Sequence, residues 1–214
     1  MSRFKTGVDR RCSVCRLAQH LCLCDQLFTL PTRVRVLMLR HYKEVHKGSN
    51  SARLVDLVLP NCTIRDYGAR DSTLDLEGLS GPGVALLFPS DGGKTLPPSK
   101  VSTLVVVDGT WSQARRMMNR IPGLVTLPRL DVAVHAIDRI RMRRSPVPGR
   151  VSTAEAVAYA LDLLEGPGTG DPLMALYETQ VERVWQARGR MDGVPWEQHI
   201  AEQQTIRRDR LKKD

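Results

Sequence analysis

The sequence predicts an α/β domain, with a mostly parallel sheet and helices on both faces. Three observations carry this. Short Val- and Leu-rich runs recur along the chain, segments with helical spacing separate them, and Gly, Pro and Ser clusters punctuate the boundaries. The first run, RVRVLMLR at residues 33–40, reads as a strand, and a polar loop follows it. Residues 51–60 place Leu54, Leu57 and Val58 at helical spacing and stop at Pro60. GVALLFPS at 83–90 is a second apolar run that ends in a turn, and SDGGKTLPPSK reads as loop. TLVVVDGTW at 103–111 is the clearest strand, and SQARRMMNRI after it has helical spacing. LVTLPRL at 124–130 reads as a fourth strand. Helices are expected at 152–165 and from 172 to about 189, before a charged tail.

The composition fits one domain with a small appendage. Of 214 residues, 42% are hydrophobic and 26% charged, which argues against disorder and against a coiled coil. Lys and Arg number 32 against 23 Asp and Glu, a net charge of +9. Such a surplus favours a polyanionic partner, nucleic acid first and an anionic membrane second. No apolar stretch approaches the roughly 20 residues that span a bilayer. The basic N-terminus has no apolar region behind it, so a signal peptide is not expected and the cytoplasm is the default. There is no P-loop, G-x-G-x-x-G, H-E-x-x-H or G-x-S-x-G.

Four of the five cysteines form C-x2-C-x6-C-x-C: Cys12, Cys15, Cys22 and Cys24. Four thiolates this close can converge on one tetrahedral zinc, a closed structural site with no position for water. Four buried thiols or a redox pair are the alternatives. Arg10, Arg11 and Arg16 would make a zinc knuckle basic, while Cys62 reads as a lone core thiol.

In parallel sheets, ligands bind at the carboxyl ends of strands. Asp108 stands at such an end before Gly109, where a carboxylate can act as general base or ligand anchor, or cap the next helix. Trp111 can stack on a ring or pack in the core. His41, Glu44, His46 and Lys47 make a conceivable metal set with no spaced partner, and Ser49, Asn50 and Ser51 look like helix-cap chemistry. Ser152 and Glu155 form an S-x-x-E capping box. Arg139, Arg141, Arg143, Arg144 and Arg150 form a positive run with no acid, suited to phosphates or to a solvated face.

Taken together, these motifs resemble the DTW-domain family of tRNA-uridine aminocarboxypropyltransferases. The resemblance rests on the cysteine set, on H-x2-E-x2-K-x-S-N-S-x-R-L, on L-L-F-P-S, on D-G-T-W-x2-A-R, on I-R-M-R and on S-T-A-E-A. It implies transfer of the 3-amino-3-carboxypropyl group of S-adenosylmethionine to the imino nitrogen of a tRNA uridine, with release of methylthioadenosine. It also implies a SPOUT-like fold with a C-terminal trefoil knot, preceded by a zinc-binding segment at 1–28 and followed through 29–214 as the catalytic domain. Asp108 becomes the expected catalytic base. Leu87, Phe88, Pro89, Ser90, Asp108, Gly109, Thr110, Trp111, Leu127, Ser152, Thr153, Ala154 and Glu155 become the expected cofactor site. Lys47, Asn50, Arg53, Arg115, Arg116, Arg141 and Arg143 are expected at the RNA, some of them at the cofactor carboxylate. The resemblance implies tRNA as the partner and no membrane, with a monomer or a homodimer both open. A methyltransferase of the same fold and a non-catalytic zinc-dependent RNA-binding module are the competing readings.

Overall fold

The computed structural model describes residues 11–70, 73–89, 93–132, 142 and 151–187. Among the described residues, five strands form one sheet: β1 (Arg35–His41), β2 (Cys62–Tyr67), β3 (Val84–Leu87), β4 (Thr103–Asp108) and β5 (Arg129–Leu130). Their order is β2-β1-β4-β3-β5, and every pair is parallel. Among the described residues, four α-helices accompany them: α1 (Ala52–Val58), α2 (Trp111–Arg120), α3 (Thr153–Glu165) and α4 (Asp171–Ala187).

The central strands β1, β3 and β4 carry dense apolar runs because both faces of the sheet are covered there. The period of two then sorts their side chains. Val36, Met38, Ala85, Leu87, Leu104 and Val106 join the core under α1, α3 and α4. Leu37, Leu39, Val84, Leu86 and Val105 join the opposite core with Met117 and Met118 of α2. Each fully buried Leu or Val of this kind contributes about 1.5–3 kcal/mol relative to an exposed one. The connections β1-α1-β2 and β4-α2-β5 therefore lie on opposite faces. They leave β1 and β4, which are neighbours, in opposite directions. The switch point falls between the ends of these two strands, where Arg40 pairs in register with Asp108. A doubly wound sheet opens its crevice there.

The structure departs from the sequence reading at both sheet edges. β2 was not expected. It is an edge strand whose residues are nearly all half-buried, so CTIRDY lacks a dense apolar signal. The strand read at 124–130 shrinks to Arg129–Leu130. Residues Leu124–Thr126 instead make a 3-10 turn, launched by Gly123 at φ 84°.

α3 starts where the capping box placed it. The Ser152 hydroxyl accepts from the Glu155 amide at 3.3 Å, and the Glu155 carboxylate accepts from the Ser152 amide at 2.8 Å. α4 returns closely against α3, since a Cβ on Gly170 would lie 2.1 Å from the Ala158 carbonyl oxygen.

Residues 11–28 pack on the domain. Leu17 and Leu23 are buried in the core under α1, α3 and α4. The Arg183 guanidinium of α4 donates to the carbonyls of Leu21 and Cys22. The path from β5 to α3, on which the expected knot turns, runs through residues 133–141 and 143–150, outside the described residues. Among the described residues, no helix is long and apolar enough to cross a membrane.

Candidate functional site

Asp108 is the last residue of β4 and is 4% exposed. It does not cap α2. That duty falls to Thr110, whose hydroxyl accepts from the Gln113 amide at 3.3 Å while the Gln113 side chain accepts from the Thr110 amide at 2.6 Å. Gly109 makes room for this box: a Cβ there would stand 3.1 Å from Gln113 and 3.5 Å from His41. The carboxylate is thus left for other partners. Its Oδ2 accepts from Asn50 Nδ2 at 2.6 Å, and its Oδ1 accepts from Thr153 Oγ1 at 2.7 Å. Burial pushes its pKa above the ordinary carboxylate value. The two hydrogen bonds and the Arg40 charge pull in the other direction, and burial wins.

Three loops meet at this carboxylate. Asn50 is buried, and its Oδ1 accepts from the Arg53 amide at 3.1 Å, which turns its amino group towards Asp108. Ser51 Oγ accepts from the Ala154 amide at 3.3 Å and ties the start of α1 to the start of α3. The expected cap chemistry of residues 49–51 is therefore split, with one side chain serving α1 and the other α3. Arg40 forks onto Asp66 at 2.8 and 3.2 Å on the neighbouring strand.

Beside this network lies a half-open cleft of about 740 Å³, solvent at its mouth included. Leu87, Phe88, Pro89, Gly109, Trp111, Ser152 and Thr153 line it, all of them expected from the sequence. The walls also include Ala156, the last residue of the S-T-A-E-A motif, and Val106, Val107, Ala114, Leu130, Asp131, Val132 and Val151, which sequence reasoning missed. The strand residues among these sit at the carboxyl ends, so the strand-end rule could have found them. Asp131 had no motif to mark it. Phe88 and Trp111 stand with ring centroids 5.9 Å apart and planes tilted by 55°, and Arg129 lies 5.8 Å over the Phe88 ring. Trp111 is half-buried on the cleft wall, not sealed in the core.

Other expected cofactor residues fall elsewhere. Leu127 packs in the core under α2 and is not on the cleft wall, because the 3-10 turn before it folds it beneath that helix. Asp108, Ala154 and Glu155 are buried and off the cleft wall, and Thr110 is exposed as the cap of α2. Ser90 lies outside the described residues.

The expected RNA residues also divide. Arg115 and Arg116 are exposed on α2. Lys47 Nζ is paired with the buried Glu44 carboxylate at 2.6 Å. Asn50 is spent on Asp108. Arg53 is half-buried and donates to the carbonyls of Val14 at 3.3 Å and Val45 at 2.9 Å, clamping the cysteine segment to the loop after β1. Asn50 thus builds the site from within, because its amino group satisfies a buried carboxylate oxygen, and Arg53 braces the two segments around it. Arg10, Arg139, Arg141, Arg143, Arg144 and Arg150 lie outside the described residues.

The four cysteines do converge. Their sulfurs all lie within 4.8 Å of one another. Cys12 to Cys24 is 3.6 Å and Cys15 to Cys22 is 3.7 Å. Four sulfurs each ~2.3 Å from a tetrahedral zinc stand about 3.8 Å apart, so the arrangement fits that ion. Backbone amides of Cys15 and Val14 lower the Cys12 thiol to about 6, towards the thiolate that metals bind. Burial pushes Cys15 and Cys24 the other way. Among the described residues this is the one such group of His, Cys, Asp and Glu. His41, Glu44 and His46 do not form a second one. His41 instead turns its Nδ1 to accept from the Lys43 amide at 3.2 Å.

Comparison with known proteins places this architecture. The DTW domain model matches residues 9–185. The chain belongs to the DTW-domain family. This DTW chain is 28% identical over 167 residues to tRNA-uridine aminocarboxypropyltransferase 2 of Drosophila melanogaster, covering 72% of the chain and 66% of that protein. It is 26% identical over 168 residues to the Mus musculus protein of the same name, covering 72% and 56%. It is 28% identical over 197 residues to tRNA-uridine aminocarboxypropyltransferase A of Arabidopsis thaliana, covering 73% of each. The DTW chain thus matches 66% and 56% of the lengths of the two animal relatives. No solved structure matches it.

Proposed function

We propose that this DTW-domain protein transfers the 3-amino-3-carboxypropyl group of S-adenosylmethionine to the imino nitrogen of a uridine in tRNA. The observation that carries the reading is the cleft itself. An apolar, aromatic-edged crevice sits at the carboxyl ends of β3, β4 and β5 in a parallel sheet, beside a buried carboxylate, in a chain whose relatives bear that enzyme's name.

The chemistry suits those residues. A sulfonium carries positive charge before reaction and loses it as its carbon leaves, so close carboxylate pairing at sulfur would favour the ground state. Leu87, Phe88, Val106 and Leu130 make most of the cleft wall apolar, which suits adenine and the methyl group, and among the described residues Asp131 is the one acidic residue on it. Choosing the methylene carbon over the methyl is then a matter of which one faces the nucleophile. Asp108 is the base that takes up the imino proton. Its raised pKa, forced by burial, makes it a better acceptor than an exposed carboxylate. Arg115 and Arg116 on α2 meet tRNA phosphates, joined by Arg141 and Arg143.

The SPOUT-like relationship and the C-terminal knot belong to this proposal, supported by the parallel sheet and by α3 starting at the strand ends. So does the division into a zinc segment at 1–28 and a catalytic domain at 29–214. Zinc held by Cys12, Cys15, Cys22 and Cys24 would brace the basic N-terminal segment, and such reduced thiols suit the cytoplasm.

The test is incubation with S-adenosylmethionine and unmodified tRNA, followed by mass spectrometry of the nucleosides. Uridine heavier by one aminocarboxypropyl group is expected. A nucleoside heavier by a methyl group would assign the methyltransferase reading, and no change would leave a binding module.

A further inference from the structure

Asp108 poses a geometric problem for the proposed reaction. It is 4% exposed, it does not line the cleft, and each of its carboxylate oxygens already accepts a hydrogen bond. Of its two donors, Asn50 is buried and held from behind by the Arg53 amide. Thr153 is different. It is half-buried, it lines the cleft, and its hydroxyl donates to Asp108 Oδ1 at 2.7 Å.

Resting on the transferase reading, we propose that the Thr153 hydroxyl relays the uridine imino proton from the cleft to Asp108. The hydroxyl has one hydrogen, already given to Asp108, and lone pairs left to accept another. When the nitrogen attacks the methylene carbon, the N–C bond forms and the C–S bond breaks. The bonding pair goes to sulfur, leaving a neutral thioether. The imino proton passes to Thr153 Oγ1 as that oxygen's own proton passes to Asp108 Oδ1. Charge balances: the sulfonium and the carboxylate are both neutralised in the step. Asn50 keeps Oδ2 occupied, so Oδ1 is the oxygen that receives the proton. α3 begins at Thr153, and its Ser152–Glu155 box and the Ser51–Ala154 bond hold the hydroxyl in place. Thr153 is thus assigned a chemical role beyond cofactor contact.

The experiment compares Thr153→Val, Thr153→Ser and Asp108→Asn with the wild-type chain. It reads single-turnover transfer to tRNA across pH, S-adenosylmethionine affinity by calorimetry, and thermal unfolding. Thr153→Val is expected to lower the transfer rate about 10²-fold or more while keeping donor affinity and fold. Thr153→Ser keeps the hydroxyl and should retain most of the rate. The Val and Asn changes combined should cost little more than either alone, since a relay acts as a unit. Transfer within a few-fold of wild type in Thr153→Val would overturn the relay while leaving the transferase reading intact. So would equal damage in the Ser and Val variants, or a loss that tracks donor affinity. A wild-type chain that transfers nothing to tRNA overturns the transferase reading, and the relay with it.

Discussion

Asp108 sits where a charge is costly, and the direction of that cost is measurable. Burial raises its pKa from the ordinary 3.8, so the folded chain holds this proton more tightly than the unfolded one. The sign follows: the folded state loses stability as pH rises from the unfolded carboxylate range through the raised value, and the cost is complete above it. Asp108→Asn should lack this slope. The difference in urea midpoint between the two proteins, followed from about pH 4 to about pH 8, should shift in favour of the variant as pH rises. A constant difference would mean that Asp108 carries no raised pKa. The sequence marked Asp108 because a lone carboxylate ended an apolar run, but it left base and helix cap open. Only the fold decides, since Thr110 takes the cap and Asn50 and Thr153 come from positions 58 and 45 residues away. Arg53 shows the reverse. Its sequence position suggested phosphate, whereas its guanidinium is spent on two carbonyls.

Among the elements, those with strong local signals were legible. β4, α2 and α3 carry dense apolar runs and caps, and they appear where expected. The capping box at α3 can be weighed directly: Ser152→Ala should cost about 1 kcal/mol in chemical denaturation. β2 and β5 were harder to read, because edge strands bury one side incompletely and draw their identity from pairing. The cysteine segment is a further element whose seat depends on close approach. A Cβ on Gly48 would lie 2.8 Å from the Arg16 carbonyl oxygen. Gly48→Ala should therefore shift that segment and destabilise the chain by about 1–3 kcal/mol. Metal analysis of the purified protein should find about one zinc per chain, and chelation should lower the melting temperature, because binding and folding of such a site are linked. Unchanged melting in chelator would argue for plain buried thiols.

At the scale of the whole molecule, the charge surplus and the cleft answer different questions. The net +9 concerns partners, and its signature is salt dependence. Replacing Arg115 and Arg116 with Ala should weaken tRNA binding and flatten the log–log salt plot by about one for each phosphate no longer neutralised. Donor affinity should stay the same, because these side chains point away from the core on α2. An unaltered slope would place the RNA on another face. The cleft concerns chemistry, and no composition could have located it. It forms only when β3, β4, β5 and α3, distant in sequence, bring their ends together around Phe88 and Trp111. The most direct measurement is a crystal structure grown with S-adenosylmethionine. The donor should lie in this cleft, its adenine against the Phe88–Trp111 edge and its sulfonium near the Thr153 hydroxyl. A donor seated outside the cleft, or a crystal in which saturating donor leaves it empty, would contradict the account.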